Sequence, residues 1–466
     1  MPEHYLSLAY DLMRKAGWRA LFALLAGLTV QAEQSAVAAP TVLSNAGCGR
    51  ATAYWEQNKI ITVGEKTHVV WLDSDASGFH VRGRTLDRTT GVWSPTVTIG
   101  EAQDNHGGPG LTVDSQGYLH VLYYPHHEQF RYRRSTRPND LSEWGSEIRV
   151  GEGLSFPSLI CLADDTLLLS ARRGYHDADG KPIESRQVEQ EFWRKPAGGE
   201  WERVTALIRS RYSGYAQFAA ALIPSPDGKT VHLNCRIYEG NPFIGGYQAY
   251  TVGYMRSTDG GVTWTKADGT PLTLPVTADT IEVLAKDIGL AGPQVHSGPL
   301  AVDAAGVPHH AYTARFGKDT RLYLATPAPG LGWTRRDLTP DLPAAVQGWV
   351  VTMTMGGGMS FSDSGRATII AVVLNPSAEE YDTLKEWGHP TTEVVRLWSD
   401  DGLKTFQSEI LSPLNTGQTH WLPNIERHTG HNRVPDAPGI IYTAGGAGEH
   451  LKDLELNNEV RWQPQR

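Results

Sequence analysis

Cysteine is scarce in this chain: Cys48, Cys161 and Cys235 are the only three in 466 residues. Three is an odd number, so no complete disulfide framework can form, although one bridge could. Cys161 and Cys235 sit in apolar runs and are expected as buried thiols. Also missing are a nucleophile elbow, a Walker loop, an HExxH pair and a Cys-x-x-Cys pair. The Gly/Ser-rich GMSFSDSG (358–365) lacks the strand–turn–helix context of a serine hydrolase. Positive charge is short as well. Lys and Arg total 42 against 51 Asp and Glu, a net charge of −9, which argues against nucleic acid as a partner. An anionic ligand would therefore need a local basic pocket.

Long apolar runs are absent. The one notable run, LFALLAGLTV (21–30), is too short for a membrane span. It follows Arg14, Lys15 and Arg19 and precedes Ala36-Val37-Ala38, an A-x-A cleavage pattern. This predicts a signal peptide over 1–38, with Met13 as an alternative start. A single mature domain over 39–466 follows, secreted or periplasmic, monomeric, and off the membrane after cleavage. No amphipathic helix is evident beyond it.

What is plentiful is turn and aromatic residues: 49 Gly, 28 Pro, 14 Trp and 18 Tyr. A Gly/Asp/Pro turn followed by a short apolar strand recurs seven times. The copies are VGEKTHVVWLD (63–73), DSQGYLHVLYY (114–124), LADDTLLLSAR (162–172), SPDGKTVHLNCR (225–236), DAAGVPHHAYTAR (303–315), DSGRATIIAVV (363–373) and DAPGIIYTAG (436–445). Repeated short strands of this kind predict an all-β, seven-bladed β-propeller, in which radial closure hides the sheet edges. The strand after each turn is expected to be the inner part of its blade. STDGGVTW (257–264) and SDDGLKTF (399–406) match the Asp-box pattern, a structural hairpin whose aromatic packs beneath the blade.

Two clusters carry chemistry that turns do not require: DNHGGPG (104–110) and YYPHHEQF (123–130). His106 is fenced by Gly107, Gly108 and Pro109, which let a ligand approach the backbone. His126 and His127 adjoin on a strand, so only one can enter a shared cleft. Asp104 and Glu128 flank the histidines, equally able to orient them or to act as an acid pair. Arg172 and Arg173 compete to meet an anion, and Tyr215 is a candidate acid or base. Arg236, Tyr238 and Arg315 end inner strands as candidate substrate contacts, and His296, in QVHSGP, repeats the flavour of NHGGP on a later blade as another. Trp421 could stack on a sugar or fill core. His309 and His310 are expected to include one buried histidine.

The Asp-boxes together with DNHGGPGLTVDSQGYLHVLYYPHH resemble the BNR-repeat propellers. Among these the chain is most similar to secreted polysaccharide lyases, the propeller-type ulvan lyases and rhamnosyl-glucuronate lyases. The resemblance, over roughly residues 50–445, implies β-elimination at a uronic acid of an acidic polysaccharide. It implies catalytic roles for His106, His126, Arg172 and Tyr215, and no required cofactor. A second family tyrosine is replaced here by Phe156. Some relatives hold a structural metal, zinc or calcium, and His176 and His232 fall at matching places. The alternatives are a glycoside hydrolase on the same scaffold, rhamnosidase- or sialidase-like, and a non-catalytic carbohydrate-binding propeller.

Overall fold

A computed structural model describes residues 39–177, 183, 185–241, 247–286, 294–316, 319–376 and 387–464. The expected signal peptide lies outside them. Antiparallel strands dominate, as the all-β reading expects. The strands are short and rich in β-branched and aromatic residues, which suit a pleated, half-buried surface.

Among the described residues the pairings sort into seven groups of about four strands. The first group is Ile60–Val63, Lys66–Asp75, Gly78–Asp87 and Val97–Ala102. The strand Ile148–Cys161 serves two groups. Its first part pairs with Glu128–Arg134 and its second with Leu167–Arg173, with register shifts between them. Gly151 and Gly153, at φ +68° and +63°, lie within the shift on the Glu128–Arg134 side. The last group, His420–Ile425, Ile440–Ala444 and Asn458–Gln463, is completed by the N-terminal strand Thr41–Gly47, with Thr41 opposite Trp462.

Successive groups share apolar clusters. Trp71, Leu111 and Trp462 join the last, first and second groups. Ile160, Leu222 and Met255 join the third and fourth, Ala311 and Ile369 the fifth and sixth, and Ile370 and Ile440 the sixth and seventh. Burying one such side chain contributes roughly 1.5–3 kcal/mol. Each sheet is thus covered by its neighbours, the ring arrangement of a propeller.

The repeat places one feature differently from expectation. The strand after each Gly/Asp turn is the second of its group, not the first. Lys66–Asp75, for example, pairs on one side with Ile60–Val63 and on the other with Gly78–Asp87. The loop that enters the first strand Gly110–Val113 carries His106, and the loop that leaves the second strand Leu119–Tyr123 carries His126 and His127.

Both Asp-boxes form the hairpin their sequence predicts. The Asp259 carboxylate accepts from the Val262 and Thr263 amides, the Thr263 hydroxyl and the Ser257 hydroxyl. Trp264 is buried edge-on to Phe192, and its indole N–H donates to Gly261. Asp401 repeats the arrangement with Lys404, Thr405 and Ser399.

Candidate active site

Two loops meet at one end of the second group. The Tyr124 amide donates to the Gly107 carbonyl, and Gln103 donates back to Tyr124. A Cβ at Gly107 would lie 2.3 Å from the Tyr124 carbonyl oxygen, so only glycine permits this approach. The contact brings DNHGGPG against YYPHH.

Asp104 then bridges the histidines. One carboxylate oxygen accepts from His106 Nδ1 at 3.1 Å and the other from His126 Nδ1 at 2.9 Å. The two imidazoles stack with centroids 3.9 Å apart. Burial alone would raise the Asp104 pKa, but the hydrogen bonds and charge of the two histidines hold it well below the usual carboxylate range. His106 is pushed down to about 3, first by burial and then by the Arg50 and His126 charges, so it is neutral near pH 7.

The two histidines differ on their other nitrogen. His106 Nε2 is engaged by the Arg50 guanidinium, which also donates to the Tyr54 hydroxyl at 2.9 Å. His126 forms no hydrogen bond through Nε2 among the described residues, and its side chain is the more exposed, 18% against 10%. Asp104, His106 and His126 are also a metal-type donor set. The Arg50 charge against His106 opposes a cation there, and both Nδ1 atoms already point to the carboxylate.

His127 and His126 do share the cleft, because the chain turns at His127 (φ +71°). Their rings lie 4.2 Å apart, and His127 contacts His176 at 3.9 Å. Arg172 Nη1 lies 3.2 Å from His127 Nδ1, its Nε donates to the Ala216 carbonyl, and its guanidinium sits 5.5 Å from the Tyr215 ring. Burial and the Arg172 charge push His127 down to about 2. Tyr215 is 57% exposed and edge-on to Tyr238. Tyr238 continues to Tyr250, and Tyr250 to His296. Arg236 donates to Gln217 at 2.9 Å and lies 3.2 Å from His296 Nδ1. Arg315 is opposite Gln294 in the adjoining pair. Burial, with the charges of Arg236 and Arg315, holds His296 well below its usual pKa. Arg172 and Arg236 form no ion pair among the described residues. The wall is therefore locally basic in a chain of net charge −9.

Several expected residues lie elsewhere. Arg173 follows Arg172 on the strand and so faces the other side of the sheet, where it pairs with Glu191 at 3.3 Å. Trp421 is buried edge-on to Trp387 rather than presented to a sugar. His309 and His310 are both buried. The two histidines of the metal expectation lie apart. His176 lies beside His127, whereas His232 opens the strand Val231–Asn241 at its far end, opposite Ile223, and bonds Tyr254. Neither joins a group of three metal-ligating side chains among the described residues.

Of the residues beneath the histidines, the sequence reading named Phe156 but missed Tyr54 and Arg50. Tyr54 and Phe156 pack at 4.5 Å beneath the histidines. Tyr54, Phe156, Met355 and Leu422 all hold φ between +54° and +69°, strained for such side chains. Below them Glu56 and Lys59 are fully buried, and burial pushes the carboxyl up to about 7 and the amine down to about 7.

A model of the BNR repeat-containing family matches residues 52–340. The ulvan lyase of family PL25 from Pseudoalteromonas sp. (strain PLSV) is 23% identical over 242 residues, covering 48% of this chain and 49% of that protein. The match thus spans about half the length of this curated relative. The solved structure of a PL25 ulvan lyase superposes with a TM-score of 0.65 at 15% identity, covering 90% of this chain and 95% of that one. A second structure of it, bound to -[GlcA(1-4)Rha3S]-, gives 0.66 at 15% identity over the same shares. The polysaccharide lyase Uly1 gives 0.57 at 14% identity, covering 92% and 99%. At these identities the superpositions establish a shared fold.

Proposed function

The chain belongs to the BNR repeat-containing family, and on that premise we propose that it is a polysaccharide lyase that cleaves a uronate-containing polymer by β-elimination. The observation that carries this reading is the Asp104 bridge, which fixes His106 and His126, with His127 stacked on His126 and Arg172 reaching His127 and Tyr215. Elimination removes the C5 proton of a 4-linked uronate, forms the C4–C5 double bond and expels O4, which takes up a proton. With Nδ1–H committed to Asp104, His126 presents the Nε2 lone pair to the cleft and accepts the C5 proton. Arg172, a planar fork that stays charged, meets the uronate carboxylate and acidifies C5. Tyr215, exposed beside it, delivers a proton to O4. His106 is a positioning residue, held on both nitrogens.

Hydrolysis fits less well. Most glycosidases use two carboxyl groups flanking the bond. Both Asp104 oxygens are taken by histidines, and Glu128 lies outside the pair, accepting from Gln103 at 3.3 Å. The oligosaccharide held by the solved relative supports an acidic, sulfated rhamnose–glucuronate polymer as the substrate. The apolar run over 21–30 supports export to meet it.

The test is incubation of the purified protein with ulvan, glucuronan and a rhamnosyl-glucuronate gum while ultraviolet absorbance is followed. A rise from the unsaturated uronate is expected, abolished by His126→Ala. Reducing ends without that absorbance would make the protein a hydrolase, and binding without product a carbohydrate-binding module.

A further inference from the structure

The turns joining first and second strands are built alike. In four of them the fourth residue is glycine and donates to the first residue's carbonyl: Gly117 to Asp114, Gly228 to Ser225, Gly306 to Asp303 and Gly365 to Ser362. These glycines have φ of +84°, +67°, +79° and +92°. In the third group the equivalent residue is Asp165, which donates to Leu162 and holds φ +61°. A side chain at this conformation costs strain that glycine avoids, and Asp is among the few that tolerate it.

The Asp165 carboxylate is fixed by the Ser115 amide at 2.7 Å and the Ser115 hydroxyl at 2.6 Å. Its Oδ1 lies 3.3 Å from His431 Nε2 and 4.0 Å from Cys161 Sγ. The Leu162 carbonyl oxygen is 3.1 Å from His431 Nε2 and 3.6 Å from Cys161 Sγ. The three side-chain donor atoms lie within 4.8 Å of one another. A tetrahedral zinc with bonds of about 2.0–2.3 Å spaces its ligands roughly 3.3–3.8 Å apart. The separations of 3.1, 3.3, 3.6 and 4.0 Å among these donors are close to that spacing.

His431 is held in place from outside the cluster. Its amide donates to the Val113 carbonyl, and the Asn432 side chain accepts from the Thr429 and Gly430 amides. A Cβ at Gly430 would lie 2.4 Å from the Val113 oxygen, so glycine lets the loop lie flat on that strand. A cavity of about 340 Å³ bordered by Cys161, Arg427, His428 and His431 opens beside the cluster and gives an ion access. The cluster is remote from the cleft. Cys161 is five residues along its strand from Phe156, roughly 17 Å.

We propose that Cys161, Asp165 and His431, with the Leu162 carbonyl, form a zinc-type metal site that ties the loop of the last group to the third. The ion displaces the thiol proton to solvent and forms an S–metal bond. Because the ligands lie 266 positions apart in sequence, from 165 to 431, the bond closes the ring as a clip.

The test uses the full chain, stripped with a chelator and titrated with Co²⁺ and then Zn²⁺. One equivalent of Co²⁺ should produce a thiolate-to-cobalt charge-transfer band that Zn²⁺ erases, and each ion should raise Tm. Cys161→Ser should remove the band. His431→Ala, at a partly exposed position where folding is retained, should weaken binding at least about ten-fold and cancel the Tm rise. His126→Ala should leave both signals intact, which separates this site from the Asp104 cluster. Absence of the band in the unmodified protein, or a Co²⁺ affinity left unchanged by His431→Ala, overturns the proposal.

Discussion

Asp104→Asn is the sharpest perturbation of the cleft, because it keeps the shape of the bridge and removes its charge. In the native protein the carboxylate accepts from both Nδ1 atoms, at 3.1 and 2.9 Å. An asparagine offers one accepting oxygen and one donating NH₂. One imidazole must then turn its Nδ1 lone pair to the amide and move its proton to Nε2, where it can no longer act as a base. The larger cost comes as His126 takes up a proton. The imidazolium and the Asp104 charge, roughly 4 Å apart, attract by about 4 kcal/mol at an effective dielectric near 20. Allowing for partial charge transfer in the transition state, about 3–4 kcal/mol is lost, or roughly 10²–10³ in kcat at about 1.4 kcal/mol per decade. The assay is initial-rate absorbance of unsaturated product on ulvan, with KM determined alongside and the fold checked by circular dichroism. A folded Asp104→Asn protein within about five-fold of the native kcat would refute the role given to the bridge.

Arg172→Lys keeps the charge but loses the planar fork and the bond to Ala216, so kcat/KM should fall about ten- to hundred-fold, measured on the same substrate. His126→Ala should cost more in kcat than His106→Ala, and equal losses would remove the distinction between base and positioning residue. Gly261→Ala should lower unfolding free energy by more than about 2 kcal/mol in urea titration. Its φ is +94° and the new Cβ would lie 2.5 Å from the Phe192 ring. Gly198→Ala, with positive φ but open space around it, should cost only about 1 kcal/mol. Burial depresses His68 to about 4, His232 to about 4 and His310 to about 3. An unfolded histidine titrates near 6.5, so below that pH the unfolded chain binds more protons and stability falls as pH drops from 6.5 toward 3. Tm measured across that window should decline steadily, and a flat profile would contradict the assignment of these histidines as buried and neutral.

The strands were legible because their turns place Gly and Asp at fixed positions, and because some second strands carry long apolar runs, such as IIAVVL within Ala367–Leu374. The first strands were not. Ile60–Val63 and Gly110–Val113 are four residues each and carry too little pattern to stand out, so the sequence reading assigned the inner place to their partners. His106 and His126 could be found because histidine has no business in a tight turn. Their ranking could not, because it depends on Arg50, which lies fifty-six residues before His106 in a stretch without a motif and reaches the ring only through the fold. Strand alternation could have separated Arg172 from Arg173 once the strand was placed. Trp421 suited the core better than a sugar face, and its burial against Trp387 bears out the core.

Elimination at this cleft breaks the polymer without adding water, whereas hydrolysis adds one water per cut. Mass spectrometry of the limit products of a uronate polymer measures that difference directly. The expected products are oligosaccharides whose new non-reducing ends carry an unsaturated uronate, so that each cleavage incorporates no water. Saturated ends, with one water gained per cleavage, would contradict elimination.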